Sequence, residues 1–266
     1  MAQEDYDSAV KTLEQGLEAT GGNAEIAAML EGLTGSNSLP QEEPEAATPS
    51  PSPTATPIPT DVANASLERV DHSVTNEAGQ VLVEHYYDKL VLEETCPEFA
   101  AINQLAQEQC DDFFTSANID QTPLDMVDPE YPFMNLLEGE ITCNEKGILS
   151  VRLQSKWYMG GVFNSNYVGV NFNLKTGEEL KLTDVFAMDE EEVLTYLQEQ
   201  SVQYIQEHPD QGWWAGEIQD AKQIVSEYTL DRYAFYIENN TVYLCYPTYE
   251  LGPGAMGPVV IPCPIQ

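Results

Sequence analysis

The sequence predicts an α+β fold, a mainly antiparallel sheet with two or more packed helices. Three observations predict it: strand-period alternation between Leu149 and Leu174, a hairpin pattern between Phe235 and Leu244, and helical stripes inserted between such stretches without regular βαβ spacing. Helix Pro97 to Phe114 comes first. Proline opens its first turn, and Phe99, Ile102, Ala106, Cys110 and Phe113 share one stripe. In the next stretch Leu149, Val151, Leu153 and Trp157 alternate with Ser150, Arg152, Gln154 and Lys156, the period of a half-buried strand. After a turn at Gly160-Gly161, Val168, Val170, Phe172 and Leu174 alternate with Gly169, Asn171 and Asn173. Lys175-Thr176-Gly177 supplies another turn, and a short run ending in Leu182 to Phe186 closes the segment. A helix from Asp189 to about Gln206 begins with Asp189 three residues before Glu192, a capping-box spacing, and turns Leu194, Leu197 and Ile205 inward. Phe235 and Ile237 then match Val242 and Leu244 across Glu238-Asn239-Asn240-Thr241, a predicted hairpin.

Upstream the composition changes twice. Residues 35–60 are rich in Pro, Ser, Thr, Ala and Glu, with Pro49, Pro51, Pro53, Pro57 and Pro59 closely spaced. Such a stretch cannot build a core and is predicted to be a disordered, polyproline-leaning linker. Residues 4–33 read as two short helices, with Tyr6, Ala9, Val10, Leu13 and Leu17 at helical spacing before the break at Gly21-Gly22-Asn23. The predicted organisation is therefore a helical piece over 1–34, a linker over 35–60 and an α+β domain over 61–266.

Charge and cysteines exclude several classes. The chain carries 45 acidic against 10 basic side chains, a net charge of −35. Phosphate binding needs clustered Lys and Arg, so nucleic acid is excluded as a direct partner, and anionic membranes are disfavoured. Acidic residues through position 60 number 10 against one Lys, leaving 35 against 9, so the folded part keeps about −26. A basic partner or plain solubility suits that balance. No apolar run reaches the ~20 residues that span a bilayer. Cys96, Cys110, Cys143, Cys245 and Cys263 show no CxxC spacing and read as buried thiols, with a single disulfide as the alternative.

No motif supplies catalytic chemistry. His72, His85 and His208 form no HExxH pattern, and no Gly-x-Ser-x-Gly elbow is present. The run Asp189 to Glu192 is explained by its place at a helix start. Gly252 to Gly257 lacks the Lys and helix of a phosphate cradle and reads as an irregular connection. The expectation is a chain that is not an enzyme and needs no metal or other cofactor. Aromatic residues are the candidate ligand contacts: Tyr158, Phe163, Tyr167 and Tyr249 flank two loops, and Trp213-Trp214 follow a turn-like stretch. Loops on a rigid sheet are where recognition usually sits, and an exposed aromatic favours protein or sugar contact.

Two family resemblances sit on these blocks. Tyr158-x-Gly160-Gly161, Asn171-Phe172-Asn173-Leu174-Lys175-Thr176-Gly177, Leu182-x-Asp184-x-Phe186 and the tail ending Val260-Ile261-Pro262 resemble the C-terminal domain of RsiV-like anti-sigma factors. Ile102-Asn103 and Tyr86-Tyr87 also fit that layout, so the likeness spans about 80–266. This is a domain family of unassigned biochemical function, also joined to some peptidoglycan deacetylases. The family often has a histidine two residues after the paired glycines, where this chain has Phe163. Asp5-Tyr6-Asp7-x-Ala9-Val10 and Leu13-x-x-Gly16-Leu17 look like part of a tetratricopeptide repeat, and such repeats need about three copies for stability.

The RsiV-like resemblance implies an extracytoplasmic binding or sensing domain, membrane-anchored through a segment outside this chain. Its expected ligand is cell-wall peptidoglycan or a basic wall-degrading protein such as lysozyme. A scaffold acting through tetratricopeptide repeats, an accessory domain of a carbohydrate-active enzyme, and a cytoplasmic location are the alternatives.

Overall fold

The computed structural model describes residues 61–265 apart from 118, 120–122 and 215–217, all within the unit Ala55–Gln266. The helical piece expected at 4–33 and the linker expected at 35–60 lie outside the described residues.

A large sheet forms first along the chain. Its strands are β1 (Ala65–Asp71), β2 (Val74–Thr75), β3 (Val81–Leu92), β4 (Phe133–Glu145), β5 (Ile148–Tyr158), β6 (Asn164–Asn173) and β7 (Glu178–Glu179). Helix α1 (Pro97–Ser116) joins β3 to β4. The order is β1-β3-β4-β5-β6-β7, with β2 added on β3. All pairs are antiparallel except β3 with β4. That parallel pair is a departure from the expected spacing: α1 is long enough to carry the chain back to the starting end of the sheet, as a parallel connection requires.

The predicted alternation sets the two faces of this sheet. Leu149, Val151, Leu153 and Phe172 lie on one face and pack with Phe99, Ile102, Ala106 and Cys110 of α1. Full burial of such a side chain contributes about 1.5–3 kcal/mol, so this stripe fixes the helix on the sheet. Asn103 on α1 ties the two together, accepting from Leu92 N (2.8 Å) and donating to Leu92 O (2.9 Å).

The second layer contains α2 (Leu182–Phe186), α3 (Glu190–Glu207), α4 (Ile218–Ser226), β8 (Ala234–Glu238), β9 (Thr241–Tyr246) and β10 (Val259–Pro264). Asp189 caps α3 as predicted, its carboxylate accepting from Glu192 N at 2.9 Å. The buried residues of α3 are Val193, Leu197, Ser201 and Ile205, with Leu194 only partly buried. The expected hairpin is β8–β9, in the small sheet β10-β9-β8. Its turn residues Asn239 and Asn240 have φ 48° and 58°, values that Asn tolerates and that a two-residue hairpin turn demands. All five cysteines are free thiols, Cys143 half-buried and the others buried.

Strand β8 is the edge of the small sheet, and its outward backbone groups end on side chains of the large one. Asn171 Nδ2 donates to Phe235 O at 2.7 Å. Ile237 N donates to Ser150 Oγ at 2.8 Å, and Thr142 Oγ1 donates to Ile237 O at 2.8 Å. Ser150 Oγ in turn donates to Asn171 Oδ1 at 2.6 Å. This network gives buried backbone groups partners they would otherwise lack. Gly169 permits the approach: a Cβ there would lie 1.5 Å from Phe235 O.

Candidate functional site

The other end of β5 and β6 is open. Helix α1 does not cover Trp157, which is 47% exposed although its strand position matches buried Leu149, Val151 and Leu153. Val162 and Phe163, in the turn between β5 and β6, are 63% and 51% exposed. Beside this turn lies a cleft of about 420 Å³. Asn135 of β4, Ser155 and Trp157 of β5, and residues 164–166 of β6 line it, together with Thr248 and Tyr249 from the connection after β9.

Hydrogen bonds hold that connection against β6. Thr248 N donates to Asn166 Oδ1 at 2.7 Å, and Thr248 Oγ1 donates to Ser165 O at 2.6 Å. Trp214 grips the following residues, its Nε1 shared between Tyr249 O (3.1 Å) and Glu250 O (2.9 Å) and its amide donating to Leu251 O (3.1 Å). Tyr249 has φ 74°, a left-handed backbone uncommon for a bulky residue. Its ring lies over Gly254, where a Cβ would come within 2.3 Å of Tyr249 Cζ. Gly254 therefore makes room for this aromatic.

Asn164 is the unusual member of the lining. Its Nδ2 donates to Val162 O at 3.1 Å, while its Oδ1 is buried with no hydrogen-bond partner. Such an orphaned acceptor costs about 1–3 kcal/mol. On the face of the large sheet opposite α1, by contrast, the charges are spent on one another. Lys156 pairs with Glu138, and Arg152 with Glu140. The bond from Lys156, then that from Tyr86 (2.6 Å), holds the Glu138 carboxyl below its ordinary range. Burial and the Glu138 carboxylate push Tyr86 up to about 12. None of these residues lines the cleft.

The six sequence candidates separate in the structure. Tyr249 and Phe163 are exposed at the open end. Tyr158 is half-buried at the end of β5. Tyr167 is half-buried on β6, its ring 5.4 Å from the Arg152 guanidinium. Trp213 needs correction as a ligand contact: it is 2% exposed, belongs to the core and donates Nε1 to His208 O at 2.9 Å. Trp214 positions the Tyr249 loop. Sequence reasoning passed over Trp157 because its alternation places it on the buried face, and it also missed Asn135, Asn164 and Asn166. Only the end of α1 decides that this face is open at Trp157.

Among the described residues no helix is long and apolar enough to cross a membrane. Residues 183–266 match a family model described as "Protein of unknown function (DUF3298)", a stretch that runs from within α2 through β10. Two solved structures share the fold of the chain. One is a DUF3298 family protein from Pseudomonas aeruginosa PAO1, 15% identical, with a TM-score of 0.52 over 77% of this chain and 91% of its own. The other is a member of the same family from Bacteroides fragilis NCTC 9343, 16% identical, with a TM-score of 0.51 over 77% and 92%. At these identities the likeness concerns the fold alone. No curated protein matches the chain.

Proposed function

We propose that this chain is a non-catalytic, extracytoplasmic binding module of a bacterial surface protein, and that its open end docks a basic wall-degrading protein of the lysozyme type. One observation carries the reading: Trp157, Val162, Phe163 and Tyr249 are exposed at one end of a rigid sheet, on a chain of net charge −35. Exposed aromatics on a fixed scaffold are the anchors that dominate interface energetics, and a strongly acidic surface speeds encounter with a basic partner. The RsiV-like words around Gly160-Gly161 and Leu182 to Phe186 support the choice of partner, and the Pro/Thr-rich composition of 35–60 supports a stalk outside the cytoplasm.

Surface plasmon resonance of the full chain against a basic lysozyme tests this, with a basic non-enzyme of similar size as control. Raising salt about tenfold shrinks the Debye length from about 10 Å to about 3 Å and slows association more than it speeds dissociation. Phe163→Ala raises the dissociation rate by an amount corresponding to about 2 kcal/mol or more. Equal binding to both proteins, or none to lysozyme, overturns the reading.

A further inference from the structure

The cleft beside the open end has a chemistry of its own. None of its lining residues carries a formal charge, on a chain with 45 acidic side chains. A lining without formal charge offers no ion pair to a charged ligand. Two aromatic rings, Trp157 and Tyr249, share the lining with the amides of Asn135, Asn164 and Asn166 and the hydroxyl of Ser155. The amides and hydroxyl can both donate and accept hydrogen bonds, and the rings offer apolar faces. A purely apolar ligand would leave those polar groups dry and unpaired. The volume, about 420 Å³, falls within the roughly 300–1,000 Å³ of small-ligand sites.

We propose that this cleft is a carbohydrate subsite, which receives a neutral sugar ring against Trp157 and Tyr249 and pairs its hydroxyls with the asparagine amides. A sugar combines apolar C–H faces with hydroxyls that both donate and accept, the complement of this lining. The Asn164 carbonyl oxygen lies below the solvent-accessible surface. It is a buried acceptor without a donor in the free protein, on a residue that lines the cleft. The subsite goes beyond the protein-docking reading and needs neither a basic partner nor Phe163.

Isothermal titration of the full chain with tetra-N-acetylchitotetraose and with cellotetraose tests the subsite, using a fully charged oligogalacturonate as control. At least one neutral oligosaccharide binds saturably, about tenfold or more tighter than the charged one. Trp157→Ala weakens that binding about tenfold, as expected for loss of an aromatic anchor, and Trp157→Phe restores part of it. Asn164→Ala weakens it about fivefold, the scale of one hydrogen bond. Phe163→Ala leaves it within about twofold while weakening lysozyme binding. Thermal melts confirm that each variant is folded. No saturable binding of either neutral oligosaccharide, or wild-type affinity in both Trp157 variants, overturns the subsite. Loss of lysozyme binding alone overturns only the docking reading.

Discussion

Thr142, Ser150 and Asn171 at one end of the β4–β5–β6 strands, and Ser155, Asn164 and Asn166 at the other, are the same kinds of side chain in opposite circumstances. At the first end β8 lies over the sheet. Ser150 and Asn171 are 0% and 6% exposed there, and their bonds run to one another and to the β8 backbone. At the second end the Tyr249 connection reaches across and leaves a cleft lined by Ser155, Asn164 and Asn166, and the Asn164 carbonyl oxygen is buried without a partner. A polar side chain on a strand thus becomes structural or available according to what covers it. The residue type does not decide.

The largest test breaks the covered end. Gly169→Ala places a Cβ where Phe235 O sits, so either β8 lifts or the sheet distorts. Denaturant titration is expected to show a loss of about 3 kcal/mol or more, at the upper end of overpacking effects. The same substitution at Gly161, where a Cβ meets nothing within 4 Å, should stay within about 0.5 kcal/mol.

Asn171→Ala comes next. It removes the donor to Phe235 O and the acceptor for Ser150 Oγ, and leaves both buried. Each orphaned group costs about 1–3 kcal/mol. Ser150→Ala alone should cost a similar amount, and the double variant less than the sum, because the two residues belong to one network. Strict additivity in a double-mutant cycle would mean that the seam is a set of separate bonds.

A third test uses pH at the boundary between the cleft and the α1 core. His85 is 3% exposed, sits 4.7 Å from the Phe114 ring and shares a hydrogen bond with Asn135 O through Nδ1 (3.1 Å). Burial lowers its pKa from the ordinary 6.5. A lowered histidine pKa means that the unfolded chain takes up the proton first. Stability should therefore be full above about pH 6.5 and fall as pH drops below it, toward the folded-state value. Melting temperatures between pH 7.5 and 5.5 check this, and His85→Gln should flatten part of the slope. An unchanged slope would assign the pH response to other groups.

The smallest stability effect belongs to the open end. Asn164→Ala removes one bond to Val162 O and also removes the orphaned acceptor, so the two nearly cancel. Chemical denaturation should place the variant within about 0.5 kcal/mol of wild type. A cost above about 2 kcal/mol would make Asn164 structural, as Asn171 is.

Much of the architecture was legible without coordinates. The period-2 runs gave β5 and β6, the Asp189–Glu192 spacing marked the start of α3, and Asn239-Asn240 marked the β8–β9 turn. The parallel pairing of β3 with β4 was not legible, because local periodicity is the same for parallel and antiparallel neighbours once one face is polar. The candidate site was read in part. Phe163 and Tyr249 were visible as aromatics in glycine-bearing loops, while Trp213, in the same composition class, turned out to be core.

By itself the sequence determined the periodicities, the caps, the tight turns and an acidity that disfavours anionic partners, because each depends on residues near one another in the chain or on a simple count. Only the tertiary structure decided that Asn171 is sealed against β8 while Asn164 lines a cleft, that Trp157 escapes the cover of α1, and that Gly169 is a point where the two sheets touch. Those outcomes depend on where α1 ends and where β8 crosses. Burial is a property of the neighbours a fold brings from far along the chain, and no local pattern records them.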